Sequence, residues 1–369
     1  MSERAEAERR LPEPLLRALH EAALFRLLLP TFLGGEEIDP VTFVQVIEEV
    51  ARHDASAAWC LCQASGCSMT AAYLSPEAGR EIFGDPRAVL AWGPSNDARA
   101  VAVDGGYRVD GTWSFASGCR HATWLGGYCP IRGRDGRVRR RPDGSPDGRT
   151  MLFPAARATI VDVWHVTGLR GTGSDAFTVT DLFVPEAHTV SRDDPAERKH
   201  GGPLYCFPSG SLYAAGFSGV AMGIARSSLD AFVGLARDKE PRASRRPLRD
   251  SGVVQYQVAE AEARLGSART FLLDVLTRIW ADVSRSGRPL SLEQRVQIRL
   301  ASTYGIHQAK QVVDTVHHAA GSSAIFTSSA FERRFRDIHT VTQQLQGRQA
   351  HLETVGRYLL GLPPDPTFL

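Results

Sequence analysis

Trp164-His165-Val166-Thr167-Gly168-Leu169-Arg170-Gly171-Thr172-Gly173-Ser174, running on into Phe177-Thr178-Val179-Thr180-Asp181-Leu182-Phe183-Val184-Pro185, sets a small-residue, hydroxyl-rich turn between two strand-like runs. Glycines at 168, 171 and 173 let backbone come close to a ligand, while Thr172 and Ser174 bring hydroxyls that both donate and accept hydrogen bonds. Such a turn can hold a flat ring with a polar edge. A second segment echoes it upstream. Gly105-Gly106-Tyr107-Arg108-Val109-Asp110-Gly111-Thr112-Trp113-Ser114-Phe115-Ala116-Ser117-Gly118 reads as a hairpin whose second strand ends at Ser117-Gly118, with His121 and Trp124 just beyond.

Outward from these turns, residues 89 to 195 keep a β-branched and aromatic alternation punctuated by Gly-Gly, Asp-Gly and Pro, which predicts an antiparallel β block. The Gly, Arg, Asp and Pro-rich insert at 132–149 reads as a loop between strands, and Arg137 to Arg141 as its solvated face. Before the block, Leu15, Leu19 and Ala22, then Val41, Val44 and Ile47 after Pro40, recur at helical spacing. After it come helical runs at Val253–Trp280, Leu292–His318 and Phe331–Leu360, the first two separated by Ser286-Gly287-Arg288-Pro289. Strands gathered between two helical blocks predict an α+β chain: an N-terminal α domain (1–88), a central β domain (89–200) and a C-terminal four-helix bundle (201–369).

With 369 residues, 43% of them hydrophobic, the chain can bury several cores, and its net charge of +2 gives no reason to expect nucleic acid or an anionic membrane as partner. Six cysteines without paired spacings read as reduced thiols, in keeping with the cytoplasm. The charged N-terminal residues lack the apolar core of a signal peptide, and no uninterrupted apolar run looks long enough to span a bilayer. His317, His318 and His339 lack the carboxylate or cysteine that would complete a first-row metal motif, so no metal is expected.

Taken together, the two turns resemble the central β domain of the acyl-CoA dehydrogenase superfamily, and within it the flavin-dependent monooxygenase branch typified by p-hydroxyphenylacetate hydroxylase. The likeness extends over nearly the whole chain in its α–β–α order. It implies that Ser117, through its hydroxyl or N–H, meets the N5 region of the flavin, with Phe115 and Gly118 beside it. Trp92 and Ser95 match the preceding strand end that lines the flavin face, and Thr172 and Ser174 the second flavin-lining turn. Without the resemblance, Trp92 and Phe115 would read as β-domain core and the glycine-rich turn as an ordinary hairpin. Arg242 falls where relatives place an arginine that reaches the cofactor's phosphates, a task suited to the guanidinium fork; Arg245, Arg246 and Arg249 read equally well as solvated surface.

The dehydrogenases themselves place a catalytic glutamate shortly after an Arg-Asp pair, to abstract the α-proton of a thioester. This chain has Arg336-Asp337 followed by Thr342-Gln343-Gln344-Leu345-Gln346-Gly347, and a glutamine amide is no base. Asp230 is the nearest acid at the alternative position and is short for the role. In the monooxygenase branch a histidine is commonly supplied from the same helix, and Gln344 occupies that position here. His339, one helical turn earlier, and His121 are the histidines available to orient or deprotonate a substrate. The resemblance implies the oxygenase component of a two-component monooxygenase. It would take FMNH2 or FADH2 from a separate NAD(P)H:flavin reductase and, through a C4a-hydroperoxyflavin, oxygenate a small aromatic or heteroatom-containing substrate with O2. It also implies a homotetramer. An FAD-dependent acyl-CoA dehydrogenase and a flavin-binding homologue without this catalysis are the alternatives.

Overall fold

The structure is a computed structural model, and it describes residues 1–133, 135–141, 144, 146–192, 194–242 and 246–365. Helices α1 (Ser2–Glu8), α2 (Glu13–Glu21), α3 (Pro40–His53), α4 (Ala55–Ser68) and α5 (Pro76–Phe83) precede the strands. Asp39 starts α3 by accepting from the N–H groups of Val41 and Thr42, and Pro40 occupies a first-turn position that needs no N–H. Ser75-Pro76 repeats the device at α5.

The strands are β1 (Leu90–Trp92), β2 (Arg99–Val103), β3 (Gly106–Trp113), β4 (Trp124–Arg132), β5 (Gly148–Pro154), β6 (Thr159–Val161), β7 (Ala176–Pro185) and β8 (Thr189–Val190). They lie in the order β6-β7-β3-β2-β4-β5-β8, with β1 on β4. The expectation of an antiparallel block is refined here. Most pairs are antiparallel, but β4 runs parallel to β1 and β2, so the sheet is mixed. Because β4 reverses the direction of β3 and then lies beside β2, it shares the direction of β2. A hairpin joins β2 and β3 at Gly105, as the sequence indicates, with φ 78°. Its second strand stops at Trp113, however, so Ser117 belongs to a tight turn beyond the strand. The Trp113 ring fills the core against Phe177, centroids 5.3 Å apart, and Gly127 is obligatory because a Cβ there would lie 2.1 Å from Trp113 Nε1. Within the 132–149 insert, bridges join Arg132 to Val138 and Arg140 to Pro146; residues 134, 142, 143 and 145 lie outside the described residues.

Helices α6 (Ser209–Asp238), α7 (Gly252–Ser286), α8 (Leu292–Ala320), α9 (Ala330–Gln343) and α10 (Ala350–Leu359) follow. Gly287 ends α7 in the left-handed conformation, and Ser291 with Gln294 forms a capping box on α8. α8 packs against α6, α7 and α9, and α3 packs along α6. The glycines of α6 explain that packing: a Cβ on Gly223 would meet Glu48 O of α3 at 2.3 Å, so the backbones touch. By length and composition α6 could cross a bilayer, which the sequence reading did not recognise, but 67% of its most apolar window is buried as a core helix. The helical run read as Phe331–Leu360 is split. Gln344 Oε1 accepts from Gln346 N, and the chain makes a 3-10 turn at Leu345–Gly347 before α10 begins.

Compactness divides the chain into two units, one of Met1–Ile38, Cys60–His165 and Arg170–Tyr205, the other of Asp39–Trp59, Val166–Leu169 and Cys206–Leu369. The first holds the sheet, the second the long helices.

Candidate active site

In the sheet unit, the turn after β3 lies against the turn before β7. Ala116 N donates to Asp175 O and Gly118 N to Thr172 O, both at 3.0 Å. This pairing brings Ser117 to Thr172 and Ser174, which lie more than fifty residues further along the sequence. Ser174 Oγ lies 2.7 Å from Ser117 Oγ and 2.7 Å from Thr172 Oγ1, and all three residues are buried. Gly118 and Gly173 take positive φ values of 81° and 49°, which their missing Cβ permits.

Phe115 sits beside this hydroxyl cluster at φ 56°, a left-handed backbone that a phenylalanine rarely adopts. The residue is 65% exposed, and its ring meets that of Trp164 edge-on, at 6.1 Å and 84°. It is not core. Trp92, in contrast, is 8% exposed, with the Arg192 guanidinium 4.6 Å above its ring. Ser95 spends its hydroxyl locally, donating to Asp97 Oδ1 at 2.8 Å.

Behind the turns, Asp175 is fully buried and takes a 2.5 Å hydrogen bond from Arg120 Nε and 3.0 Å bonds from the N–H groups of Val163 and Trp164. Sequence reasoning passed over it because its partners are remote, although an acid directly after a hydroxyl-rich turn was a usable signal. His121 packs against Phe25, with ring centroids 5.6 Å apart. Its Nε2 is enclosed and has no hydrogen-bond partner among the described residues. Burial, then the nearby His20, pulls its pKa down to about 4, so it is a weak proton acceptor held neutral at ordinary pH.

The remaining sequence candidates lie in the helical unit and are dispersed there. His339 Nε2 is 2.9 Å from Asp314 Oδ1, and the ring packs on Phe335. Gln344 is half-buried and engaged in capping its own turn. Arg242 is exposed after α6, while Arg245 lies outside the described residues. Two neighbours of these candidates escaped the sequence reading. Asp337 is buried on α9 and accepts from Leu169 N at 2.6 Å; burial pushes its carboxyl up to about 7. Arg336 donates to Thr167 O, and Gly168 fits because a Cβ would meet Arg336 O at 2.2 Å. Among the described residues no cluster of metal-ligating side chains occurs.

The family models described as acyl-CoA dehydrogenase, N-terminal domain, and acyl-CoA dehydrogenase, C-terminal domain, match residues 1–82 and 215–347. The indole-3-acetate monooxygenase of Acinetobacter baumannii is 30% identical over 362 residues, covering 97% of this chain and 89% of that protein. The chain belongs to the acyl-CoA dehydrogenase family. Within that family it is a flavin-dependent monooxygenase. The flavin-dependent monooxygenase oxygenase subunit HsaA of Mycobacterium tuberculosis is 28% identical, covering 98% of this chain and 92% of that protein. The crystal structure of 3-HSA hydroxylase from Rhodococcus sp. RHA1 superposes with a TM-score of 0.90 at 26% identity, covering 100% of this chain and 95% of that one.

The residues present in this family member fit a flavin edge. An exposed aromatic ring on a left-handed backbone stands next to buried hydroxyls, which pairs an apolar face with polar partners for a planar heteroaromatic ring. The carboxylate base expected of a dehydrogenase is missing from the turn after α9, where Gln344 and Gln346 stand.

Proposed function

We propose that the chain is the oxygenase component of a two-component system that receives FMNH2 or FADH2 from a separate NAD(P)H:flavin reductase and oxygenates a small aromatic substrate. The hydrogen-bonded hydroxyl cluster of Ser117, Ser174 and Thr172 carries this reading, because it offers the polar edge of a flavin neutral partners that do not demand a charge. The names of the relatives make indole-3-acetate the first substrate to try. Reduced flavin, when bound, supplies two electrons so that R–H and O2 become R–OH and H2O as the flavin is oxidised.

The protein's own part is to hold and exclude. Ser117 holds the flavin edge, Phe115 offers its ring to the face, and Gly118 and Thr172 bring backbone close. Trp92 braces the strand end from within the core, and Ser95 fixes the loop after it. Arg242 is the arginine that would hold the cofactor's phosphates. His121 is neutral and enclosed beside the turn, while His339, hydrogen-bonded to Asp314, is the histidine that would pass a proton. Gln344 supplies an amide where related enzymes carry a base, which suits a substrate that needs no deprotonation. Domains 1–88, 89–200 and 201–369, a homotetramer and a cytoplasmic location complete the proposal.

The test is a single turnover with photoreduced flavin, 18O2 and indole-3-acetate or related aromatic acids. One labelled oxygen in the product is expected, and Ser117→Ala should lower product per flavin about tenfold, the flavin's electrons going to hydrogen peroxide instead. Oxidation of acyl-CoA thioesters with an artificial electron acceptor, and no labelled product, would return the chain to the dehydrogenases.

A further inference from the structure

Ser174 stands in the middle of the hydroxyl chain, 2.7 Å from Ser117 Oγ on one side and 2.7 Å from Thr172 Oγ1 on the other. Each hydroxyl carries one proton and can accept through two lone pairs. A buried Ser174 is satisfied when it donates to one of these neighbours and accepts from the other. The chain therefore has two directions. In one, Thr172 donates to Ser174 and Ser174 to Ser117, which turns the Ser117 proton outward. In the other, Ser117 donates to Ser174 and Ser174 to Thr172, which turns a Ser117 lone pair outward. Reversal rotates O–H bonds and moves no heavy atom.

The surrounding backbone keeps the oxygens in place during such a reversal. Gly118 N holds Thr172 O at 3.0 Å, the Cys60 thiol donates to the same carbonyl at 3.7 Å, and the Cys119 thiol donates to Gly173 O at 3.4 Å. Burial pushes the Cys119 thiol up to about 12, so it keeps its proton and remains a donor.

We propose that Ser174 and Thr172 are positioning residues that let Ser117 act as donor or acceptor according to the oxidation state of the bound flavin. The proposal rests on the assignment of Ser117 to the flavin edge made above. Flavin N5 bears a proton in the reduced ring and none in the oxidised ring, so its partner must accept in one state and donate in the other. When Ser117 accepts, its own proton goes to Ser174 Oγ. Removing that oxygen takes away a buried acceptor in the reduced state but only one lone-pair contact in the oxidised state, and the first loss is the dearer.

Full-length Ser174→Ala, Ser174→Thr, Thr172→Val, Thr172→Ser and Ser117→Ala proteins would be titrated with oxidised FMN and, anaerobically, with photoreduced FMN, with circular dichroism and melting curves checking the fold. Ser174→Ala is expected to weaken reduced-flavin binding about tenfold and oxidised-flavin binding less than about threefold. Ser174→Thr should restore the wild-type ratio. Thr172→Val should shift it the same way by a smaller factor, Thr172→Ser should not, and this second pair decides the matter if Ser174→Ala does not fold. Equal weakening of both oxidation states by the folded variants overturns the relay. So does a Ser117→Ala protein that loses reduced-flavin affinity while Ser174→Ala and Thr172→Val do not. A Ser117→Ala protein unchanged toward both forms overturns the site assignment itself, and the relay with it.

Discussion

His121, beside the hydroxyl turn, and Asp337, on α9, are both ionisable groups enclosed by protein, and burial moves them in opposite directions. The histidine falls from 6.5 to about 4 and the carboxyl rises from 3.8 to about 7. One physical cause acts on both, because leaving water disfavours whichever form carries charge. The consequences differ. Around the hydroxyl turn the histidine is already neutral at physiological pH, and the polar contacts are hydroxyls, backbone and a paired Asp175. On α9 the group that holds Leu169 changes charge close to neutrality. Two regions that the family resemblance assigns to one task are thus built differently, the first as a fixed scaffold and the second as a titrating one.

The sharpest way to break this contrast is to remove the fixed charge of the first region. Asp175→Ala leaves Arg120 and the N–H groups of Val163 and Trp164 without their buried partner, and should cost about 3–5 kcal/mol, seen as a large drop in melting temperature or as insoluble protein. Melting close to wild type would mean that Asp175 is not what holds the turn.

Asp337 should show a smaller effect with a pH signature. Between pH 3.8 and 7 the folded protein binds the Asp337 proton and the unfolded chain releases it, so stability from this group is complete at the acid end and is lost as pH rises. Asp337→Asn keeps an oxygen acceptor for Leu169 and removes the titration. It should therefore be more stable than wild type at pH 8, by a margin that is on the order of 2 kcal/mol larger than at pH 5 and vanishes only below pH 3.8. Parallel stability curves for the two proteins from pH 5 to 8 would show that the carboxyl does not titrate as described.

His121 should contribute least and with the opposite sign. Its unfolded form takes up a proton between pH 6.5 and 4 while the folded form does not, so stability is full above pH 6.5 and falls on acidification. His121→Leu should flatten that acid slope by on the order of 1 kcal/mol, measured by urea unfolding at pH 5 and pH 7. An unchanged slope would place the acid sensitivity elsewhere.

Much of the architecture was legible because it depends on local patterns. The β-branched texture, the Gly105-Gly106 hairpin and the helical spacing after residue 252 each have physical causes within a few residues, and the α–β–α order followed from them. The glycine-rich turn at 168–174 was visible for the same reason. The break after α9 was missed because helical periodicity continues in sequence through Gln344, while the structure uses that side chain to cap a turn. Strand context alone, without the family resemblance, would put Phe115 in the core, yet its position past the end of β3 leaves it exposed.

By itself, then, the sequence determined which hydroxyls, glycines and rings are available and roughly which element carries each. Tertiary structure alone decided which of them meet: Ser117 with Ser174, Asp337 with Leu169, Arg192 over Trp92. The reason is one of range. Propensity and periodicity act over a few residues, whereas a 2.7 Å contact and the exclusion of water that shifts a pKa depend on segments brought together from distant parts of the chain.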